Sequence, residues 1–175
     1  MIFTCRPVRQ DGGFPGEEPE RIAILRFAIE SGVSFIDIED DVNEEDLNEL
    51  KNAIKGSTKV IISDHTNNPP SSEEIIQRVD QMAAKGDMVK ICYRLGSKGG
   101  ALRVLEAAKV IGSREDGPDV ALMGLGDGGD WTRIHAPLIG SRIIYSTMDE
   151  SVSVMKQGRI NLEDLYIAWD LLEYD

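Results

Sequence analysis

KVIISDHTNNPPSSEEIIQRVDQMAAKGDMVKICY, residues 59–93, is the stretch on which the fold turns. It opens and closes with apolar, β-branched runs, KVIISD (59–64) and MVKICY (88–93). Between them Ile75, Ile76, Val79, Met82 and Ala83 recur at helical spacing, and Ser71 with Glu74 stands where a capping box would start that helix. A strand, a covering helix and a second strand joined in this way predict a parallel pair.

The same rhythm continues in both directions. Further strand-like runs are IFTC (2–5), SFIDIE (34–39), DVALMGL (119–125) and SRIIYS (141–146). Helical spacing recurs at Ile22, Leu25, Ala28 and Ile29, at Leu47, Leu50 and Ile54, and at Leu102, Leu105 and Ala108. Leu162, Leu165, Trp169 and Leu172 mark a last helix with Asn161 as its cap. Six strands alternating with helices fit either an open doubly wound sheet or a barrel. No G-x-G-x-x-G follows the first strand and no G-x-x-x-x-G-K-[ST] occurs, which favours the barrel. The expected fold is α/β of the (β/α)8 TIM-barrel type, with about six of its eight units in one domain spanning residues 1–175.

Composition narrows the function. Nineteen basic against 31 acidic residues give a net charge of −12, which argues against nucleic acid and anionic membranes as partners. A small anionic substrate remains compatible, because a few cations can dominate one pocket. No run of 18 apolar residues would span a membrane, and MIFTCRPVRQ lacks the features of a signal peptide. Cys5 and Cys92 are the only cysteines, so a reduced, cytoplasmic protein is expected.

In parallel barrels the chemistry collects at the C-terminal ends of strands. Lys90 lies within an apolar run, where an ordinary rim lysine is not expected. Desolvation there would lower its pKa, and a partly neutral amine attacks carbonyls to form a Schiff base. His65 ends the preceding strand and is a candidate general base, whereas His135 is expected to pack or face solvent. Arg6 and Arg133 fall on the same face and could clamp a carboxylate. The glycine loop 126–129 is a candidate for holding a phosphate. Glu39, Asp40 and Asp41 are consecutive and cannot all converge, so no metal is expected.

Several segments in order carry a family resemblance: FTCRPVRQDGG, VSFIDIE, VIISDHTNNPP, SSEEIIQRVDQMAAKGDMVKI, ALMGLGDGGDWTRIHAPLIGS and KQGRINLEDL. The chain resembles type I 3-dehydroquinate dehydratase, the Schiff-base dehydroquinase of the shikimate pathway. The resemblance implies a (β/α) barrel and cofactor-free loss of water from 3-dehydroquinate. A homodimer is compatible with it. It implies that Lys90 forms the imine, that His65 is the acid/base group and that Asp11 orients the imidazole. Arg6, Arg133, Met123, Tyr145 and Arg159 are then substrate contacts. Asp11 stands where the family usually has a glutamate, in a loop one residue longer. In the lid Met155 and Arg159 replace a serine and a glutamine. The family begins with two further strands, the second carrying a Glu-x-Arg pair, so an N-terminally incomplete barrel is expected. The alternatives are a class I Schiff-base aldolase and a catalytically impaired barrel remnant.

Overall fold

The computed structural model describes residues 1–148 and 157–174. Five strands, β1 (Ile2–Thr4), β2 (Phe35–Glu39), β3 (Lys59–Asn67), β4 (Met88–Leu95) and β5 (Asp119–Gly126), form one parallel sheet in chain order. The crossovers carry α1 (Glu18–Glu30), α2 (Glu44–Ala53), α3 (Ser72–Ala83) and α4 (Lys98–Gly112). After β5 come α5 (Gly129–Ile134) and α6 (Leu162–Leu171). This is the α/β architecture of a TIM-type barrel. Among the described residues the sheet does not close, and β1 and β5 are its edges.

The starts of α3 and α6 follow from their caps. Ser71 Oγ accepts from the Glu74 amide while Glu74 Oε2 accepts from the Ser71 amide at 3.0 Å. Asn161 Oδ1 accepts from the Asp164 amide at 2.8 Å. The α4 stripe differs from its sequence reading. Ala101, Val104, Ala108 and Ile111 are buried, whereas Leu102 is exposed. Small residues let α4 lie close to the sheet, and that sets which side faces in.

Alternation divides the sheet into two faces. On one, Ile36 and Ile38, Val60 and Ile62, Val89 and Ile91, and Val120 and Leu122 pack with the apolar sides of α1–α4 into the main core. The other face carries Asp37, Ser63, Lys90, Cys92, Ala121 and Met123, nearly all shielded from water. We expect Ile62→Ala, which empties a fully buried site in the core, to lower the free energy of unfolding by about 2–5 kcal/mol in urea denaturation.

The SRIIYS run (141–146) is not a strand. The Arg142 amide bonds to the Val120 carbonyl at 3.1 Å, but no ladder follows. Its carbonyls are taken by side chains instead: Ser141 Oγ donates to Ile143 O and Arg133 Nε to Tyr145 O. The last helix is held to α5 by Trp169 Nε1, which donates to Ile134 O at 2.8 Å, and His135 packs against Tyr174.

Candidate active site

The parallel register builds the site in layers. Ser63 of β3 is opposite Lys90 of β4, and two residues further on His65 is opposite Cys92, which is opposite Met123 of β5. Lys90 and His65 therefore sit on neighbouring strands, one inward step apart. Both line a cavity of about 470 Å³ together with Arg6, Met123, Arg133 and Tyr145. Arg159 also lines it, at the border of the described residues. The lid positions Met155 and Lys156 lie outside them. The site residues read from sequence are thus gathered in one place, apart from Asp11.

Lys90 is only 6% exposed, and its surroundings differ from the apolar ones its sequence context suggested. Nζ lies 2.6 Å from Oδ2 of Asp37, which is fully buried. It also sits 4.9 Å from the centre of the Tyr145 ring. Desolvation pulls the ammonium's pKa down, but Asp37 and Tyr145 outweigh it, and the net shift is upward. Lys90 is therefore held charged rather than neutral, contrary to the expectation from sequence.

His65 shows the opposite balance. Burial first, then the charges of Lys90 and Arg6, push its pKa down to about 4. The imidazole is neutral at pH 7, as a base must be. Its Nδ1 is buried and makes no hydrogen bond among the described residues.

Asp11 does not meet the imidazole. It sits in the left-handed region at φ 59°, just after a 3-10 turn at Val8–Gln10. Its carboxylate accepts from Arg94 Nη2 at 2.8 Å, where both side chains are more than half exposed. Asp11 and His65 line a second cavity, but Arg94, at the end of β4, takes the carboxylate's hydrogen bond. Gln10 makes the tie to β3 instead: its Oε1 accepts from the His65 amide at 2.9 Å.

Arg133 is built in from all sides. Nη1 donates to the carbonyls of Gly124 (2.6 Å), Gly129 (2.8 Å) and Gly158 (3.0 Å), and Nε to that of Tyr145 (2.8 Å). The glycine loop thus holds a guanidinium and not a phosphate. Gly158 adopts φ 68°, and a Cβ there would collide with the Gly126 backbone, so the close approach of the two segments requires glycine. The three consecutive acids are each spoken for: Glu39 by Arg21, Asp40 by Arg78 and Lys85, Asp41 by Arg9.

Asp37 and Gln10 were not identified as site residues from sequence. Gln10 has no signal there. Asp37 does: it is a charge inside an apolar run, the same anomaly that marks Lys90.

The comparisons with known proteins agree on one family. The family model for type I 3-dehydroquinase matches residues 1–174. The chain is 32% identical over 170 residues to the chloroplastic bifunctional 3-dehydroquinate dehydratase/shikimate dehydrogenase of Arabidopsis thaliana, covering 94% of this chain and 26% of the plant protein. It is 29% identical over 180 residues to the 3-dehydroquinate dehydratase of Methanocaldococcus jannaschii, covering 98% of this chain and 76% of that one. The crystal structure of type I 3-dehydroquinate dehydratase from Clostridium difficile with covalently modified comenic acid superposes with a TM-score of 0.87 at 26% identity. That match covers 98% of this chain and 68% of the other. The chain therefore spans about a quarter of the plant protein and more of the two shorter ones.

Proposed function

Because this chain belongs to the type I 3-dehydroquinase family, we propose that it dehydrates 3-dehydroquinate to 3-dehydroshikimate through a lysine imine. The observation that carries the reading is the placement of a shielded amine and a neutral imidazole on adjacent strands, facing one cavity with Arg6 and Arg133.

In this mechanism Lys90 Nζ condenses with the C3 ketone. The resulting cation draws electrons from C2 and acidifies its proton. His65, held uncharged by burial and the nearby cations, removes that proton and then protonates the departing C1 hydroxyl. Arg133 Nη2, which makes no bond to another described residue, and Arg6 meet the carboxylate and ring hydroxyls. Met123 and Tyr145 wall the pocket, and Arg159 adds a positive group at its mouth. Gln10, not Asp11, fixes the strand position of the base.

Among the described residues no helix is long and apolar enough to cross a membrane, and both cysteines are free thiols. Free thiols fit a reducing compartment such as the cytosol. The test is turnover of 3-dehydroquinate followed by mass spectrometry. Loss of one water supports the dehydratase. Cleavage of a carbon–carbon bond would assign an aldolase, and recovery of intact substrate would leave the reading without its reaction.

A further inference from the structure

An ammonium is not a nucleophile, and Lys90 is held as one. Something must take its proton before nitrogen can attack a ketone. His65 makes no hydrogen bond to Nζ. The group in contact is Asp37, whose Oδ2 lies 2.6 Å away. Thr4 Oγ1, from the edge strand β1, donates to the same oxygen at 3.3 Å. The other oxygen, Oδ1, is buried and makes no hydrogen bond among the described residues.

Fold stability does not account for this arrangement. Two charges buried on β2 and β4 lose their hydration, and apolar side chains of similar volume would serve the fold at least as well. The pair also lies within the candidate active site, because Lys90 lines the cavity. The structure assigns Asp37 a task in the reaction: it holds Lys90 in place as an ammonium and accepts the proton that frees the amine for attack. This inference rests on the imine reading above and names a residue which that reading does not use.

The step balances without any outside reagent. The Nζ–H bond breaks and its proton moves to Asp37 Oδ2. The nitrogen lone pair forms the C–N bond, and the carbonyl π electrons move to oxygen. The second proton lost by nitrogen and the one stored on Asp37 both end on that oxygen, the C–O bond breaks, and water leaves. An ammonium and a ketone have become an iminium and water, and Asp37 is again a carboxylate beside a cation.

The titratable groups facing Lys90 are Asp37 from β2, His65 from β3, Cys92 from its own strand, Arg6 from the loop after β1, and Tyr145. Glu39 acts on Asp37 from the same strand. Of these, Asp37 alone accepts a hydrogen bond from Nζ through a carboxylate.

The test uses two readouts. The first is the pH at which a small imidoester labels Lys90, followed on its peptide, with the exposed Lys109 as internal standard. In the native chain Lys90 should label at higher pH than Lys109. In Asp37→Asn the order should reverse, because the cation has lost its counter-charge while burial remains. The second readout is the rate at which borohydride traps a 3-dehydroquinate adduct, compared at equal fractions of free Lys90 amine as given by the labelling curves; it should fall about 10²-fold in Asp37→Asn, the scale of a lost general base. A purely structural pair would reverse the labelling order in the same way but leave the trapping rate per free amine unchanged. If the variant does not fold, the native chain still decides: labelling of Lys90 at or below the pH for Lys109 overturns the inference. Labelling needs no substrate, so the two readings fail separately. Native-rate trapping in a folded Asp37→Asn sinks the role of Asp37 alone. Reversed labelling in a chain that never turns over 3-dehydroquinate upholds the pairing and sinks the dehydratase.

Discussion

Replacing Lys90 with methionine should stop the formation of any borohydride-stable adduct and lower turnover of 3-dehydroquinate by about 10⁴-fold or more, the scale on which covalent nucleophiles matter. The same change should also destabilise the fold. Asp37 is fully buried, and removing its partner leaves a carboxylate with no counter-charge. Breaking a buried pair from one side costs about 3–5 kcal/mol. Adding Asp37→Asn to Lys90→Met should recover much of that loss without restoring any turnover. Urea denaturation of the two single variants and the double variant separates the two effects. Full native stability in Lys90→Met alone would contradict the buried pair.

His65→Ala should behave differently. The imine should still form and be trapped, while turnover falls by about 10²- to 10⁴-fold, the usual share of a positioned acid–base group. The pH dependence follows from the sign of the shift. Burial, with Lys90 and Arg6, depresses the imidazole from 6.5 to about 4. The basic form of His65 thus persists in mildly acidic solution. Its loss should bend kcat/KM downward only as the pH approaches about 4. Stability carries the same sign: between 6.5 and about 4 the unfolded chain binds a proton that the folded one refuses. The native state therefore gives up stability as pH falls through that window, and His65→Ala should remove this part of the loss. An acid limb near the ordinary histidine value in the native chain would show that His65 is not the buried, cation-flanked group described above.

Much of the fold was legible because β2–β5 are covered by helices on one face and largely shielded on the other, so they read as continuous apolar runs. The runs mark where β1–β5 begin to within a residue. They end early in β3 and β4, where the ladder continues through His65-Thr66-Asn67 and Arg94-Leu95. Ladder hydrogen bonds do not require apolar side chains, so the polar residues His65-Thr66-Asn67 and Arg94 broke the pattern before the ladder ended. SRIIYS failed in the opposite sense. Its composition suits a strand, but its carbonyls are claimed by Arg133 and Ser141, partners that no local pattern reveals.

The site was legible by the same logic and incomplete for the same reason. A lysine in an apolar run announces burial, but not what it is buried beside. Asp37 lies 53 positions away, and only the register of β2, β3 and β4 brings its carboxylate to Nζ. That contact reverses the expected direction of the lysine's pKa. Resemblance assigns Asp11 to orient the His65 imidazole, yet its carboxylate is hydrogen-bonded to Arg94. Both corrections concern partners supplied by another strand or its end, where spacing along the chain carries no information.

The most direct test of the account is the mass of the peptide carrying Lys90 after the native chain is treated with 3-dehydroquinate and borohydride together. We predict that this peptide gains the mass of the reduced substrate adduct, on Lys90 and only when both reagents are present. An unmodified Lys90 peptide from a sample that is turning substrate over would contradict the imine mechanism outright.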